Sequence, residues 1–151
     1  MLRLSKKADY ALIAMKHLAR KCGRSTSARE IAEEYSIPIE LMAKVLQRLV
    51  RTGLLASTQG THGGYTLGRP ASSISVADVI QAIDGPVTVT ACSTEKNSCE
   101  QFTKCSIRDP LWQIRERIVA ALGTVSVAEM AADPEPGPVS APVSVVRRAS
   151  V

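Results

Sequence analysis

Cys92, Cys99 and Cys105 lie close together in the chain, with six and five residues between them, in a stretch rich in Ser, Thr, Asn and Lys. Structural thiols are ordinarily buried among apolar neighbours and do not gather in so polar a segment. Three soft thiolates on a flexible loop can instead converge on a soft metal centre, either an iron–sulfur cluster or zinc. Spacing does not choose between these, because neither of the paired C-x-x-C knuckles of zinc sites is present. A disulfide with one thiol left over is the third reading. Direct chemistry by the cysteines, as in a thiol oxidoreductase or a cluster carrier without DNA binding, is the alternative from a different class. That reading lacks a C-x-x-C pair and any acid–base constellation, since His17 falls within the first predicted helix and His62 in a glycine-rich loop. No enzyme is expected.

The elements around the cysteines must come from 151 residues, of which 3% are aromatic and 45% hydrophobic. A core of Leu, Ile, Val, Ala and Met in one domain of ordinary size suits packed helices better than a β-sandwich, so a mainly α protein is expected. The basic start, Met1 to Lys7, runs into an amphipathic segment, and no apolar stretch is long enough to span a bilayer. A cytoplasmic protein without a membrane partner is expected, where thiols stay reduced. The net charge of +5 is unevenly spread: through Pro70 there are 12 Lys and Arg against 5 Asp and Glu, and afterwards 7 against 9. A basic half-chain favours a polyanionic partner, although a solvated basic face needs none.

Along the chain, Ser5 can open a helix whose apolar residues Ala8, Ala11, Leu12, Met15, Leu18 and Ala19 share one face, closed by Cys22-Gly23. Ser27 and Glu30 have capping-box spacing for a short second helix to about Tyr35. Pro38 is placed as the first residue of a third helix. There Leu41, Met42, Val45, Leu46, Leu49 and Val50 occupy one half of the helical wheel, while Glu40, Lys44, Gln47 and Arg51 form a polar stripe on the other. Gly53 ends it in a left-handed conformation. Leu54–Thr58 and Tyr65–Leu67, either side of Gln59-Gly60-Thr61-His62-Gly63-Gly64, read as a β-hairpin. Ser75 opens a fourth helix to about Ile83, and Pro110 a longer one whose Leu111, Ile114, Ile118 and Leu122 make an apolar stripe suited to a partner subunit or to ordinary packing on the first domain. The composition after Asp133 predicts a disordered tail.

Three helices followed by a glycine-rich hairpin is the order of a winged helix-turn-helix. The third helix can enter the major groove, and the hairpin, as the wing, can lie along the backbone or minor groove. Double-stranded operator DNA is therefore the expected partner, with Arg29, Glu40, Lys44, Gln47, Arg48 and Arg51 from the helices and Gln59, Thr61 and His62 from the wing as candidate contacts. Glu40 can accept from a cytosine amino group or simply complement the helix dipole. The competing reading is a helical interaction domain without nucleic acid.

Taken together, the opening Leu2 to Ala11, the wing Gly60-Thr61-His62-Gly63-Gly64-Tyr65-Thr66-Leu67, the segment Ile74 to Asp84 and the three cysteines resemble the IscR and NsrR family of iron–sulfur regulators. Residues 90–93 and 125–130 most resemble the branch that regulates the SUF iron–sulfur assembly operon. The resemblance implies a winged helix-turn-helix with a long C-terminal dimerisation helix: a DNA-binding domain over 1–85, a cluster-binding loop over 86–109, a dimerisation segment over 110–132 and a tail over 133–151. It implies a homodimer with a [2Fe-2S] or [4Fe-4S] cluster, the two not distinguished, on Cys92, Cys99 and Cys105 with a fourth, non-cysteine ligand. Where IscR members place a His, this chain has Arg108. NsrR members use an early Asp of the partner chain, and Asp9 stands at the matching position, where it can equally serve the helix dipole. The implied function is a repressor of SUF assembly genes, or a nitric oxide or redox sensor of the same fold. Ala43 and Lys44 replace the acidic and amide base-reading residues of IscR members, so a different operator is expected.

Overall fold

The computed structural model describes residues 3–89 and 100–132. Its elements are α1 (Lys6–Arg20), α2 (Ala28–Glu34), α3 (Ile39–Arg51), β1 (Leu55–Thr58), β2 (Gly64–Leu67), α4 (Val76–Asp84), α5 (Arg108–Thr124) and α6 (Val127–Ala132), with short 3₁₀ turns at Ala71–Ser73 and Phe102–Lys104. The expected order, mainly helical with one antiparallel hairpin, is the observed one. The tail expected from 133 onward lies outside the described residues.

Serine begins most of these helices. Ser5 accepts from the Ala8 amide, and Ser27 and Ser75 form reciprocal capping boxes with Glu30 and Asp78, so each helix start has its free donors satisfied locally. The Ser27 amide and hydroxyl, both donating, hold the Glu30 carboxyl below its ordinary value. The helix ends are equally specific. After α3, the Gly53 amide donates to the Val50 carbonyl and the Leu54 amide to the Leu49 carbonyl, both at 3.0 Å, with Gly53 at φ 76°. This is a Schellman closure, and it aims the chain directly into β1. The same pattern closes α2, where Ile37 donates to Ala32 at 2.9 Å, but the left-handed residue there is Ser36, at φ 52°.

The core lies between α1, α3 and α4, with Ala11, Met15 and Leu18 of α1, Met42, Leu46 and Leu49 of α3, and Ile74 and Val79 at α4 buried together. The hairpin pairs Leu55 with Leu67 and Thr58 with Gly64. It is also tied back to the helices: Thr26 and Tyr65 exchange amide-to-carbonyl bonds of 3.1 and 2.8 Å. A Cβ on Gly64 would stand 2.7 Å from the Thr26 carbonyl oxygen, so only glycine permits this approach.

Some boundaries differ from those expected. Pro38 is the N-cap of α3 and not its first residue. Leu41, assigned to the apolar half of α3, is 36% exposed, because it sits at the edge of the buried arc. The long helix starts at Arg108, with Pro110 inside the first turn, where no backbone donor is needed. It stops at Thr124, and Ser126 and Glu129 cap a separate α6 with a third reciprocal pair. The chain there returns to the first helices: Val76 donates to Val125 and Val127 to Ile74, and Val127 is fully buried in the core.

His17 is 3% exposed; its Nδ1 lies 3.2 Å from the Tyr35 hydroxyl and 3.8 Å from a Glu34 carboxylate oxygen, while Nε2 has no partner among the described residues. Burial lowers its pKa; Glu34 and Glu30 oppose this and Lys21 reinforces it. Above about pH 6.5 the imidazole is neutral folded and unfolded, and its burial costs no proton. Below that value the unfolded chain binds a proton that the folded one resists. The melting temperature should therefore fall as pH drops from 7.5 through 6.5 toward the folded pKa, and His17→Gln should flatten that part of the profile. A wild-type profile no steeper than the variant's there would contradict this.

Candidate nucleic-acid interface and cysteine segment

The exposed stripe of α3 follows from its buried one. With Met42, Val45, Leu46 and Leu49 buried, the helical repeat sends Glu40, Lys44, Gln47 and Arg51 to the opposite side, and all four are exposed. Lys44 and Arg51 form no ion pair among the described residues, so their charge faces solvent uncompensated. Arg29 is exposed in the first turn of α2.

Arg48 sits differently. Its Nε donates to the Ala82 carbonyl of α4 at 2.9 Å, which braces α3 against α4, and the residue remains exposed. Beside it Lys7 of α1, Lys44, Leu41, Val45 and Ile83 line a shallow hollow of about 190 Å³. Lys7 was not singled out from the sequence. Its position in the basic N-terminal segment was visible, but its approach to α3 depends on α1 packing across the fold.

The wing residues Gln59, Thr61 and His62 are all exposed. The Ser25 hydroxyl donates to the His62 carbonyl at 2.9 Å, so the wing tip is fastened to the segment between α1 and α2. Between them lies a polar cleft of about 820 Å³, to which Lys21, Arg24, Glu30 and Glu33 also contribute. Lys21 and Arg24 are two further cations near the wing that a linear reading left unassigned.

The α4 end links this surface to the cysteine segment. The Ser5 amide and hydroxyl donate to the Asp84 carboxylate at 3.1 and 2.5 Å, joining the α1 start to the last turn of α4. Just beyond, the Val87 carbonyl accepts from Arg115 Nε of α5 at 2.7 Å. Cys92 and Cys99 lie outside the described residues. Cys105 is half-buried, with a free thiol, between the 3₁₀ turn at Phe102–Lys104 and α5. Asp9 is exposed in the first turn of α1, and its carboxylate has no hydrogen bond or ion pair among the described residues. Cys22, a free and exposed thiol at φ 49°, is part of the turn that ends α1.

Among the described residues, no helix is long and apolar enough to cross a membrane. Helix α5 buries none of its side chains; Leu111, Ile118 and Leu122 are half-buried, and Ile114 is 45% exposed. Ile107, 60% exposed, falls on the same stripe just before the helix.

The HTH-type transcriptional regulator IscR of Xenorhabdus nematophila is 35% identical over 136 residues, covering 89% of this chain and 82% of that protein. The IscR of Escherichia coli K12 is 33% identical over 131 residues, covering 85% and 80%. Among solved structures, CymR, the global cysteine regulator of Bacillus subtilis, superposes with a TM-score of 0.67 at 28% identity, covering 87% of this chain and 97% of that one. The T. potens IscR gives 0.66 at 26% identity, covering 85% of each. These similarities make the chain an IscR-like, DNA-binding transcription regulator and not an enzyme, and set aside the carrier without DNA binding. Residues 4–133 match the Rrf2 family of iron-dependent transcriptional regulators, and the chain belongs to that family.

Proposed function

We propose that this regulator is a homodimer that senses an iron–sulfur cluster and represses the genes of a SUF-type iron–sulfur assembly system in the cytoplasm. The observation that carries the sensing part is Cys105: a free, half-buried thiol at the entry to α5, in the same polar segment as Cys92 and Cys99, in a chain of an iron-dependent family. The three thiolates suit iron as soft donors, and the uncommitted Asp9 carboxylate is available as an oxygen ligand from the partner chain. When bound, the cluster would supply a centre open to oxidants, nitric oxide or loss of iron. That same oxygen ligand favours the second reading, a nitric oxide or redox sensor with other targets.

The protein's own residues supply the coupling. The segment leading to the cysteines is tied to α5 through Val87, to the α1 start through Asp84, and to α3 through Ala82 and Arg48. A rearrangement of the cysteine segment can thus reach the recognition helix through fixed hydrogen bonds. In a dimer it would also change the spacing of two recognition helices that must meet half-sites one helical turn apart. The unburied apolar stripe of α5 supports that dimer. DNA contact is assigned to Glu40, Lys44, Gln47 and Arg51 from α3, to Arg29 and the outer nitrogens of Arg48, and to Gln59, Thr61 and His62 of the wing.

Purified anaerobically, the protein should carry iron and sulfide and show visible charge-transfer absorption, lost when Cys92, Cys99 and Cys105 are all changed to Ala; a colourless wild type that resists reconstitution would remove the sensing mechanism. Lys44→Ala should weaken operator binding across sequences and make the slope of log affinity against log salt shallower by about one ion; an unchanged slope would take Lys44 off the phosphates. Ile114→Glu on α5 should shift the protein from dimer to monomer in sedimentation equilibrium without loss of helicity, and a persisting dimer would place the interface elsewhere.

A further inference from the structure

Ile39 is the first residue of α3 and is 43% exposed at the end of the helix that the preceding reading places in the major groove. Three features of the fold bear on what it does there. The hydrophobic positions that anchor this helix start are filled by others: Ile37, just before the N-cap, and Met42, in the first turns, are both buried in the core cluster, at 7% and 0% exposure. Ile39 is therefore not needed to fix the entry angle of the chain.

Second, the N-cap is Pro38, which offers no side-chain acceptor, so the Ile39 and Glu40 amides have no partner among the described residues. An uncapped, exposed start to a 13-residue helix is compatible with an end that meets DNA, where acceptors are supplied by the ligand. Third, the neighbours of Ile39 are interface residues. It shares a hollow of about 400 Å³ with Arg29 and Glu33 of α2 and with Ser36 and Ile37 of the turn, and Glu40 follows it on the helix. A branched apolar side chain thus stands between a cation placed for the phosphate backbone and the first polar residue of the reading stripe.

Resting on the assignment of α3 to the major groove, we propose that Ile39 is a specificity-determining residue whose side chain packs on the 5-methyl group of a thymine in each operator half-site. In the major groove the thymine methyl is the apolar feature presented by a base pair, and apolar side chains recognise it by contact. An isoleucine has no hydrogen-bonding atom with which to read anything else. Its burial against a methyl also removes the exposure that this position otherwise carries in the free protein.

The experiment uses the full-length protein and a pool of duplexes with randomised sequence. Wild-type protein should select a thymine at a fixed position in each half-site, and replacing that thymine by deoxyuridine, which removes only the methyl, should weaken binding about fourfold per half-site. Ile39→Ala, whose helicity and melting temperature should match the wild type, should bind the thymine and uracil duplexes with equal affinity. A wild type indifferent to the uracil replacement at every half-site position overturns the proposal, as does a variant that keeps the full discrimination. If the pool yields no bound duplex, or if binding is unaffected by Lys44→Ala and Gln47→Ala, it is the placement of α3 in the groove that has failed, and the proposal falls with it. Selection of thymine by the wild type with Lys44→Ala weakening binding, but with no difference between thymine and uracil, overturns the Ile39 contact alone.

Discussion

Burial of one face of α3 is the constraint on which the other features depend. Met42, Leu46 and Leu49 are fully buried and Val45 is nearly so, and each such side chain contributes about 1.5–3 kcal/mol when removed from water. That face cannot rotate outward without losing most of this stabilisation, so the direction of Glu40, Lys44, Gln47 and Arg51 is set by the core and not by the polar residues themselves. The Schellman closure then extends the same control into the wing. Leu54, 2% exposed, follows Gly53 back onto the helix end, and β1 begins at the next residue. The end of α3 and the start of the wing are consequently held by the same core.

The wing needs a second attachment because a two-stranded hairpin is at best marginally stable alone. It gets one from Thr26, whose backbone exchanges two hydrogen bonds with Tyr65, and another from Ser25, which holds the His62 carbonyl. Both residues belong to the linker between α1 and α2. The wing is therefore fastened to the start of the helix-turn-helix as well as to the end of α3, which keeps Gln59, Thr61 and His62 at a fixed offset from the polar stripe. The close approach that makes this possible leaves no room for a side chain at residue 64.

What could be read from the chain was whatever is encoded by neighbours. The capping boxes at Ser27 and Ser75, the left-handed Gly53 and the helical split of α3 each involve residues within a few positions, and local chemistry determines them. The bonds from Arg48 to Ala82 and from Ser5 to Asp84 join residues 34 and 79 positions apart, and no local pattern announces them. Arg48 reads from the chain as a cation for DNA, while its bond to α4 is a property of the packed fold alone. His17 was legible as helical but not as buried, since a lone polar residue on an apolar face carries no sign of the Tyr35 hydroxyl that meets it. The separate α6 is encoded locally as well, since Ser126 and Glu129 have the same three-residue spacing as the other caps.

The long-range bonds also bear on how regulation can work. The last turn of α4 holds three other elements at once, α3 through Ala82, the α1 start through Asp84 and, three residues on, α5 through Val87. The chain toward the cysteines continues directly from that turn, at a point where α3 and α5 are already joined by hydrogen bonds. The seat of Arg48 depends on Ala82, and Asp84 ties down the α1 start from which Lys7 approaches Lys44. The described chain on either side of the cysteines is held to the same helix, by the Val87 carbonyl bound to Arg115 before them and by Cys105 leading into α5 after them.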